Sequence, residues 1–489
     1  MSTALVWFRR DLRLADHPAL HRAALAHQRV IPIYIHAPQE DAPWLPGAAS
    51  RWWLHHSLAA LDATLRQHGL RLIIRQGDSL AALRELIRET GATAVYWNRL
   101  YEPASIARDR AVKAALREDR IIAESSQAAL LIEPWTVLKA DATPYQVFTP
   151  FWKACLLQLP PAAPLPVPKL PGSAPWPASL SLETLNLPPR IRWDEGLAAA
   201  WRPGETGALT QLDRFCETAL TGYAQWRDWP GREGVSRLSP HLHFGELSPR
   251  QIWAAATLAT NGDPLGDKGA ATYLREIGWR EFAHYVLYHW PHTPEQPLQA
   301  RFAAYPWRDD YADLLRAWQQ GQTGYPLVDA GMRQLWQTGW MHNRVRMLVA
   351  SFLIKNCRIP WQEGARWFWD TLVDADLASN TLGWQWTAGC GVDAAPYFRV
   401  FNPILQGEKF DPDGAYVRCW TPELAALPTP FLHQPWTLPP NEPSATGFIL
   451  GRHYPHPVMD FAASRAEALA GYERIKAGTS ADERIASRT

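Results

Sequence analysis

The sequence lacks the long apolar runs of a membrane protein. Its longest strongly apolar stretch, around residues 347–354, is far shorter than the roughly 20 residues that a membrane span needs. The first apolar residues are soon interrupted by Arg9 and Arg10, which is not the pattern of a secretory signal peptide. We therefore expect a cytoplasmic protein that does not act at a membrane.

Cysteine, excess charge and the common phosphate-binding motifs are also scarce. The five cysteines are scattered and never form CxxC, so neither a disulfide framework nor a zinc cluster is indicated. His241 and His243 have no companion ligands in the sequence, and we expect no metal site. The formal net charge is only +1, so any nucleic acid surface must be local. No GxxxxGK[ST] motif occurs, and the first predicted strand leads into WFRRDLRL instead of a glycine-rich turn.

Tryptophan, in contrast, is abundant. The chain has 26 Trp residues but only 15 Tyr and 15 Phe, whereas Trp is normally the rarest of the three. We expect most of these indoles to fill the core and a minority to serve in stacking or redox chemistry.

The pattern along the chain predicts an α/β domain followed by an all-α domain. Short runs rich in β-branched residues alternate with amphipathic helical patterns at first, which predicts a doubly wound, Rossmann-like parallel sheet with helices on both faces. A proline-dense stretch over residues 159–189 predicts an extended connector. We place the α/β domain at residues 1–130, the linker at 131–200 and the helical domain at 201–480.

Four motifs of the helical part carry polar groups where chemistry needs them. GVSRLSPHLHFGELSPR places hydroxyls at the start of a helical run, where they can hold a diphosphate. YLREIGWREF puts a carboxyl group, an indole and a guanidinium on one helix face, TGWMHNRVRM groups an amide with an arginine and a methionine, and DADLASNTLGWQW adds two carboxylates and an amide. An N-cap, a surface ion pair or a structural hydrogen bond would explain each motif alone, but not all four in this order.

With these motifs the sequence closely resembles the photolyase and cryptochrome flavoproteins, and among them the class I cyclobutane-dimer photolyases. The resemblance covers almost the whole chain, including WFRRDLRLADHPAL, TGYPLVDAGMRQL, WMHNRVRM, GWQW and DAAPYFRVFNPILQGEKFD. It implies light-driven repair of cyclobutane pyrimidine dimers in DNA by a protein that binds FAD in its helical domain. We expect a monomer with no obligate protein partner.

The resemblance also assigns the cofactor site. The residues implied to contact FAD are Tyr223, Ser236, Arg237, Leu238, Ser239, Glu276, Trp279, Arg280, Asn343, Arg346, Asp374, Asp376 and Asn380. Asn380 corresponds to the position that faces flavin N5, where plant cryptochromes typically have Asp. Val235 stands where the family usually has a threonine that contacts the phosphate, so one hydroxyl is lost.

In the implied reaction, excited reduced flavin gives an electron to the dimer, the ring splits and the electron returns. Glu276 is implied to supply a proton or hydrogen bond to the radical anion. Trp279 and Trp386 are implied to pack against the flipped-out dimer, with Asn343 and Met347 as further dimer contacts.

Electron supply, DNA binding and light harvesting complete the expectation. The tryptophans implied to carry electrons to the flavin are Trp384, Trp361 and Trp307. The residues implied to contact DNA are Arg227, Arg344, Arg399 and Lys409. The family also allows a second antenna chromophore of the folate or deazaflavin type, whose identity is open, and its expected surroundings are Trp97, Asn98 and Glu102.

Two other functions share this fold and motif set. A cryptochrome-type blue-light receptor would bind FAD without repairing DNA, and the residue types at Glu276, Asn343, Met347 and Asn380 argue against it. A flavoprotein that binds DNA without turnover would keep the same pocket residues. Repair under light is the observation that separates the three.

Overall fold

The computed structural model describes residues 2–171, 175–397, 399–439 and 447–486. Two compact units make up the chain. One comprises Met1–Ala224, Val235–Pro291 and Val373–Ala378, and the other comprises Gln225–Gly234, His292–Leu372 and Ser379–Thr489.

A parallel sheet forms the centre of the first unit. Its strands are β1 (Thr3–Phe8), β2 (Arg29–His36), β3 (Ile73–Gln76), β4 (Ala94–Asn98) and β5 (Ile122–Ser126). The strands are ordered β3-β2-β1-β4-β5, with every neighbouring pair parallel. β1 and β4 are buried along their whole length, as expected of a parallel sheet covered on both faces. The predicted doubly wound fold is confirmed.

Helices account for most of the remaining regular structure. In chain order they are α1 (Pro18–Ala26), α2 (Ala48–Gln67), α3 (Ser79–Thr90), α4 (Pro103–Glu118), α5 (Phe148–Leu156), α6 (Glu195–Ala200), α7 (Glu205–Thr218), α8 (Tyr223–Trp226), α9 (Ser239–His243), α10 (Pro249–Ala259), α11 (Lys268–His289), α12 (Ala312–Gln319), α13 (Pro326–Thr338), α14 (Asn343–Ser351), α15 (Trp361–Thr371), α16 (Leu377–Ala388), α17 (Pro403–Phe410), α18 (Ala415–Trp420), α19 (Thr429–Leu432) and α20 (Phe461–Ala486). The predicted all-helical region is therefore also confirmed.

Helix ends follow the local sequence signals. Ser248 and Gln251 form a reciprocal capping box at the start of α10. Asp267 caps α11 by accepting a hydrogen bond from the Ala270 amide at 2.7 Å. Gly339 ends α13 in the left-handed conformation, with φ of 66°. Of these helices, α11 carries residues of the candidate site.

The proline-dense connector contains little regular structure. Between α5 and α6 its described residues form only the 3-10 turn Leu182–Leu185. The range predicted as linker, 131–200, nevertheless includes both α5 and α6, and residues 172–174 of it lie outside the described part. The boundaries at residues 130 and 200 stay predictions.

The core of the sheet is apolar and includes aromatic residues. Trp7 of β1 and Trp97 of β4 are buried together with Leu5, Ile33 and Val95. Among the helices that the structure describes, none combines the length and apolarity needed to cross a membrane.

Candidate functional site

A short turn in the first unit carries four of the predicted cofactor residues. Ser236, Arg237 and Leu238 lead directly into α9, which begins at Ser239. Arg237 has a φ of 53°, an uncommon conformation for a residue with a side chain, of the kind found at binding sites. Its guanidinium lies 4.6 Å from the centre of the Trp201 ring. Because α9 has only five residues, its helix dipole is small, and an anion at this turn would depend on the hydroxyls and the guanidinium.

Tyr223 belongs to an aromatic cluster beside this turn. Its ring lies 5.3 Å from that of Tyr273 and 5.8 Å from that of Phe215. Burial raises the pKa of Tyr273, and the neighbouring Ser236 hydroxyl offsets part of that rise. The first unit therefore brings Tyr223 and Ser236 close to the same residue, Tyr273.

The predicted face of α11 carries Glu276, Trp279 and Arg280, all half-buried. The Trp279 ring stacks on Phe148 of α5, with 3.9 Å between ring centroids and an interplanar angle of 9°. Arg280 donates to the carbonyl of Ala129 at 2.7 Å. Phe148 thus supports one face of Trp279 and leaves the ring partly exposed.

Asp374 and Asp376 are both buried in the first unit. Asp376 Oδ2 lies 3.5 Å from a ring nitrogen of His243 and 3.5 Å from one of His284. Desolvation opposes the charge of Asp376, but His284, His243 and Arg280 outweigh it and hold the pKa of this carboxyl well below its usual range. Asp376 is therefore a carboxylate that can accept hydrogen bonds.

Sequence spacing did not reveal the partners of His243. Among the described residues, Glu102, His284 and Asp376 offer ligand atoms within 4.8 Å of one another. Arg10 already pairs with Glu102 at 2.5 Å, and a guanidinium repels a divalent ion placed beside it. The arrangement is that of an ion-pair network.

Glu102 also marks the expected surroundings of the second chromophore, at the sheet edge where strand order reverses between β1 and β4. Trp97 is buried, and its indole donates to Asp109 at 3.1 Å. The Asn98 amide donates to Asp11 at 2.8 Å. Both side chains thus form hydrogen bonds to carboxylates of the first unit.

In the second unit, α14 presents three predicted residues. Asn343 is the first residue of the helix and is exposed, and Met347 one turn later is half-buried. Arg346 donates to the Met341 carbonyl at 2.7 Å. Before the helix, His342 accepts a hydrogen bond at Nδ1 from the Arg344 amide at 3.2 Å. This cap fixes the start of α14.

Asn380 and Trp386 occupy α16. Asn380 donates from Nδ2 to the carbonyl of Ala365 in α15 at 3.1 Å, so the orientation of the amide is fixed by the neighbouring helix. Trp386 is half-buried, and its carbonyl accepts a hydrogen bond from Ala395 at 3.1 Å. Both residues thus lie in the part of α16 that belongs to the second unit.

The three tryptophans of the predicted electron route share one region of the second unit. Trp384 packs on α15 at Gly364, where a methyl group would collide with the indole. Trp361 is the first residue of the same helix and is buried. The Arg308 amide donates to the Arg358 carbonyl at 2.8 Å, which brings the segment of the half-buried Trp307 to the start of α15.

Three of the four predicted DNA contacts form a cation cluster in the second unit. Arg344 pairs with Asp228 at 2.7 Å, and Arg227 approaches the same carboxylate at 3.9 Å. Arg344 and Lys409 lie 4.5 Å and 5.1 Å from the centre of the Phe410 ring. The fourth, Arg399, is exposed, and its carbonyl accepts from Lys355 at 2.8 Å. Three cationic side chains thus lie close together in the second unit, two of them beside the Asp228 carboxylate.

The donor set suits a flavin dinucleotide. In the first unit, serine hydroxyls and the Arg237 guanidinium in one turn are groups that suit a diphosphate, and the Asp376 carboxylate is a hydrogen-bond acceptor. In the second unit, the Asn380 amide is a group that can both accept and donate to a flavin ring.

Comparisons with known proteins agree with this reading. The family model described as DNA photolyase matches residues 4–169, and the model described as the FAD binding domain of DNA photolyase matches residues 273–474. A deoxyribodipyrimidine photo-lyase of Agrobacterium fabrum is 47% identical over 477 residues, covering 97% of this chain and 98% of that protein. The chain belongs to the photolyase and cryptochrome family.

Two further relatives show the breadth of that family. Cryptochrome-2 of Arabidopsis thaliana is 41% identical over 502 residues, covering 99% of this chain and 81% of that protein. The crystal structure of a class III photolyase from Agrobacterium tumefaciens superposes with a TM-score of 0.93 at 46% identity, covering 97% of this chain and 98% of that one. The predicted family and its FAD-binding domain are confirmed, whereas membership of class I stays a prediction.

Sequence reasoning missed the residues that pack against or pair with the candidate site residues. Phe148 lies in the range predicted as linker, although the run FTPFWKACL already carries helical spacing. Asp228, Phe410 and Gly364 gave no signal of their own, because each acts through a contact with a residue distant in sequence.

Proposed function

We propose that this protein repairs cyclobutane pyrimidine dimers in DNA under light. The observation that carries the proposal is the face of α11, where the partly exposed Trp279 is backed by Phe148 and Glu276 lies one turn earlier. An indole held flat against a second ring is a platform on which a flipped-out base can stack. The carboxyl group beside it can hydrogen-bond to a pyrimidine carbonyl that gains negative charge.

The chain's own groups would hold FAD as follows. Ser236, Ser239 and Arg237 would bind the diphosphate, and Asp376 and Asn380 would bind the ring. When bound in its reduced form, FAD supplies the light-driven electron that opens the dimer. The Asn380 amide donates from Nδ2 to Ala365, and its oxygen could serve as an acceptor for the bound ring.

The cation cluster of Arg227, Arg344 and Lys409 supports the DNA substrate. Guanidinium groups bind phosphates in a fixed geometry, and Asp228 holds Arg344 in place at 2.7 Å. Phosphate contacts position the duplex without reading sequence, which suits an enzyme that must find damage anywhere. Binding should therefore weaken steeply as salt rises.

The test is illumination of the chemically reduced protein with three oligonucleotides that carry a cyclobutane dimer, a (6-4) product or no damage. We expect light-dependent recovery of thymines from the cyclobutane dimer alone, with no conversion in the dark. Conversion of the (6-4) product instead would overturn the substrate assignment, and no conversion of either would overturn repair.

A blue-light receptor is the second candidate, and the similarity to Cryptochrome-2 favours it. Such a protein would bind FAD and change its redox state under light, yet leave all three oligonucleotides unchanged. The same experiment therefore separates the two functions.

The remaining expectations are part of the proposal. A folate or deazaflavin antenna would bind near Glu102, a cytoplasmic monomer would perform the reaction, and the domains would divide at residues 130 and 200. Chromatography of the small molecules released on denaturation would test the antenna: FAD alone, after supplying both antenna types during expression, would refute it.

A further inference from the structure

An arginine of α11 lies beside the rings that support Trp279 in the first unit. Phe148 stacks with Trp279 at 3.9 Å and with Trp152 at 6.4 Å, with interplanar angles of 9° and 10°. Both distances join ring centroids. The guanidinium carbon of Arg275 lies 5.4 Å from the centre of the same Phe148 ring. Three nearly parallel rings and one cation therefore share this part of the unit.

The packing beneath Arg275 is tight. Phe148 and Trp152 of α5 are 1% and 8% exposed. A methyl group at Gly278 of α11 would lie 2.6 Å from the Trp152 ring, so the two helices approach this closely because residue 278 is glycine. A guanidinium over an aromatic face is attracted by the ring. Helix packing and the Phe148 ring together restrain the position of the Arg275 side chain.

The guanidinium of Arg275 nevertheless has unused hydrogen-bonding capacity. Arg275 is exposed, and with the residues that the structure describes it forms no hydrogen bond or ion pair. Arg280 of the same helix, in contrast, donates to the Ala129 carbonyl at 2.7 Å. A guanidinium carries five N–H donors and can bind a phosphate through two of them at once. Arg275 is therefore a restrained cation whose donors are available to an anion.

The spacing along α11 relates this cation to the Trp279 platform. Arg275 and Trp279 are four residues apart and so lie on the same face of the helix. At a rise of about 1.5 Å per residue they are about 6 Å apart along the axis. The carboxyl-bearing Glu276 lies roughly 100° further around the helix than Arg275. A base stacked on Trp279 would bring its own phosphate, or that of its immediate neighbour, within reach of Arg275.

We propose that Arg275 binds a phosphate next to the flipped-out dimer and helps the protein to discriminate damaged from undamaged DNA. The proposal rests on the proposed function, because it takes Trp279 as the platform for the dimer. In undamaged DNA the bases stay stacked in the duplex, so no nucleotide is fixed at Trp279 and no phosphate is fixed at Arg275. A backbone contact thereby responds to the damage, although it reads no base edge.

The test is equilibrium binding of the FAD-loaded protein, in the dark, to a dimer-containing duplex and to an undamaged duplex of the same sequence. Arg275→Gln should weaken binding of the dimer duplex roughly tenfold, the usual effect of losing one hydrogen-bonded contact to a charged group. The slope of log Kd against log salt concentration should fall by about 1. Binding of the undamaged duplex should change much less.

Two further variants separate a phosphate contact from a general effect of charge. Arg275→Lys keeps the charge but not the paired donors, and it should recover only part of the lost affinity. Arg110→Gln removes an exposed arginine of α4 in the same unit and should bind both duplexes as the wild type does. The melting temperature and flavin absorbance of each variant report folding and cofactor content.

A second measurement identifies the phosphate. Single methylphosphonate groups, which replace a charged phosphate oxygen by a methyl group, are placed one at a time on both sides of the dimer. The wild type should lose affinity when a phosphate directly flanking the dimer is neutralised. Arg275→Gln should not respond to that substitution, but it should still respond to neutral groups elsewhere in the strand.

Three results would overturn the contact: unchanged binding of the dimer duplex by Arg275→Gln, an equal loss with both duplexes, or a wild type that tolerates neutral groups at both phosphates flanking the dimer. Repair is measured separately, by illumination of the reduced wild type with the same dimer duplex. Failure of that repair, with the binding results as expected, would overturn the proposed function and leave the phosphate contact standing.

Discussion

Glu276 and Trp279 lie one helical turn apart on α11, but the structure constrains them differently. Trp279 is held by its stack on Phe148, so its position follows from packing. Glu276 is half-buried, and its proposed role is chemical. The role of Trp279 can be tested through binding, whereas that of Glu276 can be tested only through the reaction.

Glu276→Gln should retain FAD and DNA binding but lower the repair yield. The amide keeps the shape and a hydrogen-bond donor, yet cannot release a proton. A loss of roughly 1.4 kcal/mol of transition-state stabilisation corresponds to about a tenfold slower step. Thymine recovery per absorbed photon measures the effect, and Glu217→Gln, an exposed position of the same unit, is the control. An unchanged yield would remove Glu276 from the chemistry.

His342 should make the stability of the protein depend on pH. Burial lowers its pKa from 6.5 to about 4, against the opposing effect of Asp228. Between these pH values the unfolded chain binds the proton and the folded protein does not, so the free energy of unfolding falls as pH falls from 6.5 to 4. The expected contribution is about 3 kcal/mol.

His342→Asn should flatten that dependence, because asparagine can still cap α14 but does not titrate. Urea unfolding of both proteins at several pH values between 4 and 7 measures the difference. His68→Asn changes an exposed histidine and should leave the curve as it is. Equal slopes for the wild type and His342→Asn would contradict the assignment.

The candidate site residues are predictions from the sequence, whereas the residues that support them could not be predicted. The motifs contain the charged, amide and indole groups themselves, so Arg237, Asp376 and Trp384 could be named from residue type and resemblance. Phe148, Asp228 and Gly364 matter only through contacts that the fold creates. A phenylalanine in a proline-rich region carries no local sign that it supports a tryptophan of α11.

At the scale of elements, the packing of α15 and α16 determines where the first tryptophan of the route lies. Gly364 leaves the space that the Trp384 ring fills, whereas a methyl group at Gly383 of α16 would meet nothing within 4 Å. Both glycines lie in helices, but replacement by alanine should have opposite effects on the free energy of unfolding at the two positions.

Gly364→Ala should lower the free energy of unfolding by about 1–3 kcal/mol through overpacking and slow photoreduction of the flavin. Gly383→Ala should raise it by roughly 0.5–1 kcal/mol, because alanine is the better helix former, and leave photoreduction unchanged. Denaturant unfolding and flavin bleaching under blue light measure the two effects. Equal behaviour of the two variants would show that Trp384 does not depend on the space at Gly364.

The strands and long helices follow from periodicity, and their ends from capping residues such as Ser248 and Asp267. Two helical elements could not be predicted from these signals. Helix α5 lies inside the range predicted as linker, and no sequence pattern indicated the π-helical turn Phe352–Asn356. Composition describes the average of a region, so it does not predict a single helix inside that region.

At the scale of the molecule, one buried carboxylate joins distant parts of the second unit. Asp329 accepts hydrogen bonds from the amide and hydroxyl of Thr323 at 2.7 Å and 2.6 Å, from the Gly324 amide at 3.0 Å, and from the Tyr454 hydroxyl. Its removal would leave these donors buried without an acceptor.

Asp329→Ala should therefore destabilise the protein by about 3 kcal/mol or more. Asp313→Ala, at an exposed ion pair with Arg316, should change the free energy of unfolding by less than roughly 0.5 kcal/mol. Thermal and urea unfolding compare the two. A small effect at Asp329 would mean that water or another group replaces the carboxylate.

The central claim is that this protein places reduced FAD within electron-transfer reach of a cyclobutane dimer. The most direct measurement is the fluorescence lifetime of the reduced flavin in the protein, with and without bound oligonucleotide. Electron transfer to the substrate predicts a clear shortening with dimer-containing DNA and none with undamaged DNA of the same sequence. An unchanged lifetime, under conditions where the damaged strand is fully bound, would contradict the account.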